Sequence, residues 1–361
     1  MKKIIAMFLV FLMAMSALVG CAAKQAEPAA VETTAAPAAA TEAPKQEEKA
    51  EEVTEPIVMA IGHVMSTDSP RHLSLELFKQ ELEEMTNGKI QVELYPAGQL
   101  GTEAEIIEQV KMGTIQGTRG GQFEMVAPKL LIYTLPFMFD TIDEMMKVVE
   151  SPVHEKIAAE AAENNMVVIA MADSGGFRQW SNNVRPIHTP ADFKGLKMRS
   201  SGVLSITKTF EALGASASTI TYTELYMALK TGVVDGQCNA YTQIENGKFY
   251  EVQKYVTESN YMLNPEGFYI NAQWFNALTP ELQEAVRVCA MKSVKAGNQI
   301  IQDNTASYID TISKYCEMNT LTGEEIAAFR DACKPVYDYF INEEKLFTQA
   351  EFDEVMAVAK S

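Results

Sequence analysis

From Ile57 onward the chain switches between two hydrophobic periods. The run Ile57-Val58-Met59-Ala60-Ile61 is apolar throughout and predicts a short buried strand. Ser69-Pro70 supplies an N-cap and a proline at the first helical position, and Gly88 closes the segment. Between them Leu73, Leu77, Phe78, Leu82 and Met85 are expected on one apolar helix face. Ile90, Val92 and Leu94 alternate as a strand. Gly98-Gln99-Leu100-Gly101 is a turn, and Thr102 caps a helix carrying Ile106, Ile107 and Val110 that stops at Gly113. Further on, the spacing predicts a helix near 142–165, a strand at 166–172, an irregular stretch through Gly175-Gly176, and a short helix opened by Thr189-Pro190. Leu196–Arg199 reads as a strand, and Thr221 with Glu224 as a capping box for a helix over about 222–231. Short strands follow near 233–237 and 255–262. Thr279-Pro280 opens a helix reaching roughly 315, which would span about 50 Å, and two more helices lie near 323–341 and 348–360. The β-α-β-α order points to an α/β fold with mainly parallel strands, and no internal repeat is visible.

The N-terminus departs from this pattern. Lys2 and Lys3 precede an uncharged apolar stretch from Ile4 to Val19, ending in Leu18-Val19-Gly20-Cys21. This layout resembles a lipoprotein signal over residues 1–20, which implies cleavage before Cys21 and lipidation of that cysteine. No later segment has the ~18 uninterrupted apolar residues of a membrane span. Residues 22–56 hold no aromatic side chain and eight Glu against three Lys, a net charge of −5. Such a stretch buries too little apolar surface to offset its ordering entropy, so 21–56 is expected to be a disordered tether. A globular domain would then hang from the membrane, outside the cytoplasm.

Composition narrows the function. Over 361 residues, 30 Lys+Arg against 48 Asp+Glu give a formal net charge of −18, which disfavours nucleic acid and polybasic lipid attachment. Cys238, Cys289, Cys316 and Cys333 read as buried thiols, with a Cys316–Cys333 bridge as the alternative. The four histidines form no HExxH or HxH motif, so His63 and His72 suit a cleft edge or a cap better than a metal. The sequence also lacks a GxSxG elbow, a phosphate-binding GxxxxGK[ST] loop and a GxGxxG loop after a strand. Neither catalysis nor a cofactor has positive support.

The informative chemistry is a cationic stretch in an acidic chain: Arg178, Arg185, Lys194, Lys197 and Arg199. An arginine holds a carboxylate with a planar two-donor fork, and ligands of open α/β sheets bind at strand C-termini. Periodicity alone leaves Arg199 equally readable as a ligand anchor or a surface ion-pair cation. Beyond it runs Glu224-x-Tyr226-x-Ala228-Leu229-x-Thr231-Gly232-Val233-Val234-Asp235-Gly236-Gln237-x-Asn239. With Lys194-Gly195-Leu196-Lys197-x-Arg199, Lys248-Phe249-Tyr250-Glu251-Val252, Gly62-His63-Val64, Tyr95-Pro96-x-Gly98-Gln99-Leu100-Gly101 and Leu135-Pro136-Phe137, it resembles the DctP-type solute-binding proteins of TRAP transporters over about 57–340.

The resemblance implies an α/β, two-lobed periplasmic-binding-protein-like fold with a cleft between the lobes and a long lobe-spanning helix. Lobe 1 is expected from 57–176 plus 265–304, and lobe 2 from 177–264 plus 305–361. It implies a non-enzymatic protein, without cofactor or metal, that binds a small organic acid anion as a monomer and passes it to TRAP membrane subunits. The same pocket could instead present the acid to a membrane sensor. By family position Arg199 is the carboxylate anchor, Arg178 a second arginine, Asn239 the orienting amide and Tyr222 the packing ring. Gln122 and Phe123 are expected on the first-lobe wall, and His63 at the cleft edge. Glu103 either faces the cleft or is a surface acid favoured by its helix dipole. Trp180 is read either as an aromatic cleft wall or as core. The chain departs from the family at Cys238 and Ala240, where Glu and Pro are usual, and at Ser200-Ser201-Gly202, where Val-Pro-Asn often follows the main arginine.

Overall fold

The computed structural model describes residues 55–361. The expected signal, Cys21 and all but the last two residues of the expected tether lie outside them. Nine strands form one sheet: β1 (Ile57–Gly62), β2 (Ile90–Tyr95), β3 (Gly117–Gly120), β4 (Met166–Asn182), β5 (Lys197–Ser200), β6 (Ser216–Thr219), β7 (Gly236–Asn239), β8 (Tyr255–Asn271) and β9 (Glu317–Thr320). Their order is β2-β1-β3-β8-β4-β7-β5-β6, with β9 on β8.

Two halves repeat one topology. In the first, β1 pairs parallel with β2 and β3, through the helices Pro70–Met85 and Glu103–Met112. In the second, β5 pairs parallel with β6 and β7, through Leu204–Ala212 and Tyr222–Lys230. Each half is a β-α-β-α-β unit with a switch point beside its central strand. The 17-residue strands β4 and β8 run antiparallel between them, so the sheet is mixed rather than mainly parallel. Both are far longer than the alternation predicts, because bulges interrupt their pairing, one of them between Asp173 and Phe177. Gly175-Gly176, expected as irregular chain, is that bulge. Gly175 has φ +150°, and a Cβ there would approach Ala240 Cβ to 2.8 Å, so a side chain is excluded where the halves meet.

The long helix Pro280–Ser313 packs on Pro70–Met85, on β4 and on the helix Tyr241–Asn246, touching both halves. The face of Pro70–Met85 differs from expectation. Leu75, Phe78 and Leu82 are buried at i, i+3 and i+7, whereas Leu73 and Met85 are exposed. The helix expected over 142–165 is broken: Ser151 caps a new helix at Pro152, whose ring cannot continue the preceding one. Thr221 binds the Glu224 carboxylate instead of a backbone N–H, so that capping box does not close. The last helix is Gln349–Ala359. It packs on Ile142–Val149, putting Val355 and Ala359 into the core that holds Met145 and Val148. All four cysteines of the described residues are free and buried, without a Cys316–Cys333 bridge.

Candidate functional site

The C-terminal ends of the parallel strands face one another across the junction of the halves and enclose a cavity of about 210 Å³. Val64 and Met65 follow β1, Gly121, Gln122 and Phe123 follow β3, and Ser201 and Gly202 follow β5. Thr219 and Asn239 end β6 and β7. Across the mouth Gln122 Nε2 donates to the Ser201 carbonyl at 2.6 Å.

Arg199 enters from β5 and is only 2% exposed. Its Nε donates to the Ile220 carbonyl at 2.8 Å, while neither Nη group has a hydrogen-bond partner among the described residues. Burial and the neighbouring Arg178 cation lower the Arg199 guanidinium to about 10. A cation so deprived of water and set beside another cation is a strong site for an anion. Arg178, just past the bulge, is held from all sides. It donates to Asn264 Oδ1 at 2.6 Å, to the Cys238 carbonyl, to Cys238 Sγ and to Asn239 Oδ1 at 3.1 Å. Asn239 Nδ2 is in turn bound to Gln237 Oε1 at 2.5 Å. These groups form a rigid cationic floor.

Tyr222 starts its helix against the cavity, its hydroxyl donating to the Gln243 carbonyl at 3.1 Å and its ring edge-on to Phe249. Glu103, at the first position of its helix, faces inward. Its Oε1 accepts from the Gly121 amide at 2.6 Å. Arg199, Arg178, Asn239, Tyr222, Gln122, Phe123 and Glu103 thus line a single cavity.

His63 does not. It is 1% exposed behind Val64 and Met65, with Nδ1 accepting from the Met65 amide and Nε2 3.1 Å from His72 Nδ1. It orders the β1 turn from behind. Burial, then the charges of Arg71, His72 and Arg119, hold it neutral with a value of about 3. Trp180 is core, packed among Phe193, Tyr261 and Phe329. No group of three or more metal-ligating side chains occurs among the described residues.

Sequence reasoning missed Arg71, which lines the same cavity. Its Nε binds Glu266 Oε2 at 2.6 Å and its Nη1 the Arg119 carbonyl at 3.1 Å. Burial opposes ionisation of Glu266, yet Arg119 and Arg71 hold it down at about 2. A signal was present: an arginine directly after Ser69-Pro70 sits in a first helical turn, where the dipole disfavours a cation. Such local violations concentrate at functional sites.

Comparison with known proteins gives a consistent result. A model of the bacterial extracellular solute-binding protein family 7, DctP, matches residues 61–344. The C4-dicarboxylate-binding periplasmic protein DctP of Rhodobacter capsulatus is 29% identical over 299 residues, covering 79% of this chain and 87% of that protein. A TRAP periplasmic solute-binding protein from Xanthobacter autotrophicus Py2 with bound β-D-galacturonate superposes with a TM-score of 0.77 at 30% identity, over 83% of this chain and 99% of that one. One from Shewanella oneidensis with bound succinate shares the fold at a TM-score of 0.79 and 23% identity, over 84% and 99%.

Proposed function

The chain belongs to the DctP family of bacterial extracellular solute-binding proteins, and from that premise we propose that it captures an organic acid anion through Arg199 for delivery to TRAP membrane subunits. Family membership makes it a binding protein outside the cytoplasm rather than an enzyme. The observation that carries the ligand class is the Arg199 guanidinium, buried beside Arg178 with both Nη groups unpartnered among the described residues. A ligand carboxylate satisfies that fork bidentately. The ligands of the Rhodobacter and Xanthobacter relatives, a C4-dicarboxylate and a galacturonate, have the carboxylate in common.

In this reading Arg178 acts through Asn239 and Asn264 as well as by its charge, and Tyr222, Phe123 and Met262 pack the ligand's carbon skeleton. Gln122 and Ser201 bring the lobes together over it. In this reading the lobes divide at the bulges between β4 and β8, with 57–176 plus 265–304 on one side and 177–264 plus 305–361 on the other. Every residue invoked comes from one chain, so a monomer suffices. Lipidation of Cys21 would tether the domain to the membrane. In that case Cys21→Ser releases it into the soluble fraction, and mass spectrometry of an unmodified wild-type Cys21 would refute the anchor.

The test of the binding reading is a thermal-shift panel of organic acids followed by calorimetric titration of wild type, Arg199→Lys and Arg199→Ala. An acid at 100 times its Kd should add ~2.7 kcal/mol of stability. No stabilisation by any carboxylate, or unchanged affinity in Arg199→Ala, overturns the proposal.

A further inference from the structure

The wall facing the guanidiniums accepts hydrogen bonds. Glu103 Oε1 is fixed by the Gly121 amide, and Glu103 Oε2 has no partner among the described residues. Beside it Gln122 spends its Nε2 on Ser201, which leaves Oε1 as a second unpartnered acceptor on the same wall. The seat for Glu103 is built. A Cβ at Gly120 would come within 2.7 Å of the Glu103 carboxyl carbon, so β3 gives up a side chain to admit that carboxylate. Gly202 clears the space opposite, where a Cβ would lie 3.4 Å from the Gln122 amide nitrogen.

Resting on the anion-binding reading above, we infer that the ligand is a hydroxylated monocarboxylate, a small polyhydroxy acid, whose hydroxyls donate to Glu103 Oε2 and Gln122 Oε1 while Arg199 takes its carboxylate. The cavity has a donor pole and an acceptor pole, and a hydroxy acid matches both. A second carboxylate brought to the acceptor pole would meet the Glu103 charge and leave its free oxygen without a donor. A ligand ammonium would satisfy Glu103 but would sit in the field of Arg71 and Arg199, both of which also interact with Glu103. A neutral hydroxyl avoids both conflicts. At about 210 Å³ the cavity is smaller than the roughly 300–1,000 Å³ that suits drug-sized ligands, consistent with a small acid. Sites whose buried polar groups await a substrate hydroxyl reject analogues that lack it.

The rival is an unsubstituted dicarboxylate bridging Arg199 and Arg71. Calorimetric titration of the wild-type chain and Glu103→Gln with D-galactonate, D-gluconate, D-galacturonate and succinate separates them. Glutamine keeps an oxygen for the Gly121 amide and replaces the free, charged acceptor oxygen with a neutral amide donor. The expected result is at least one sugar acid binding wild type ≥10-fold more tightly than succinate, with that ratio shrinking about 10-fold or more in Glu103→Gln. Because the readout is a ratio within each variant, a general loss of stability does not imitate it. Succinate binding as tightly as any sugar acid, or a ratio unmoved by Glu103→Gln, overturns the hydroxy-acid assignment while leaving carboxylate capture intact. Failure of every acid to bind instead overturns the reading on which it rests.

Discussion

At the scale of single residues the site turns on Arg199. Its guanidinium is 2% exposed and lowered to about 10, so the unliganded fork is an uncompensated cation in a confined space. A bound carboxylate removes that penalty. Removing one partner of such a buried pair costs ~3–5 kcal/mol, about two to four decades in affinity, which is the loss expected for Arg199→Ala. Arg199→Lys keeps a charge but loses the planar fork, and is expected to fall between. Neither change should unfold the chain, because the Arg199 Nη groups make no protein hydrogen bond among the described residues. Melting curves without ligand check this. The cavity-lining residues were legible because their motifs are family-specific and lie at strand ends. His63 lay in such a motif as well, but a motif does not say which way a ring points, and this ring turns to His72. Arg71 was missed for the opposite reason, since no motif marks it and its role depends on Glu266, 195 positions away.

At the scale of elements, the junction is made by the bulge in β4. Asp173 begins it, with Oδ2 accepting from the Gly175 and Gly176 amides at 3.2 and 2.6 Å and Oδ1 unpartnered among the described residues. Burial outweighs these bonds and raises the carboxyl from 3.8 to about 6. A folded-state value above the unfolded one means the native state binds the proton more tightly. This contribution to stability is therefore full below about pH 4 and is lost as pH rises through 6. Two units correspond to about 3 kcal/mol at most. Glu266, held at about 2 against an ordinary value of 4.5, adds the opposite slope at the acid end of that window, where its unfolded form still gives up a proton as pH rises. His63 and His154, lowered to about 3 and 4 chiefly by burial, also oppose Asp173, favouring the folded state as pH rises through 6.5. Asp173→Asn isolates the aspartate: its stability relative to wild type should rise by about 2 kcal/mol between pH 4.5 and 7.5 in urea denaturation. An equal difference at both pH values would show that Asp173 does not titrate in this range. Little of this element was readable. Two glycines inside a strand look like a turn, and only pairing with β8, about 90 residues later, shows that the strand continues.

At the scale of the molecule, the two halves share a topology that has no counterpart in repeated sequence, because strand order is fixed by hydrophobic pattern and crossover handedness rather than by residue identity. The alternation therefore identified the α/β units but not their duplication or the antiparallel strands between them. That layout places two rigid walls on a narrow connection of β4, β8 and the long helix. Across the mouth of the cavity, direct polar contact includes the Gln122–Ser201 bond and the Leu204 amide donating to Glu124 Oε1, each worth on the order of 1 kcal/mol. So weak a latch cannot by itself keep two lobes shut over buried cations, whereas an anion bound to Arg199 and touching Gln122 or Glu103 bonds to both walls at once. A ligand shifts a conformational equilibrium only by its differential affinity for the two states, and contacts with both walls exist only when they meet. Small-angle scattering should therefore show the wild-type chain more extended without ligand and more compact at saturating acid. Arg199→Ala should stay extended at the same acid concentration, and Gln122→Ala should need more acid to reach the compact form. A wild-type profile that does not change on saturation, with binding verified by calorimetry in the same sample, would mean that the lobes are already closed and that ligand entry does not require them to part.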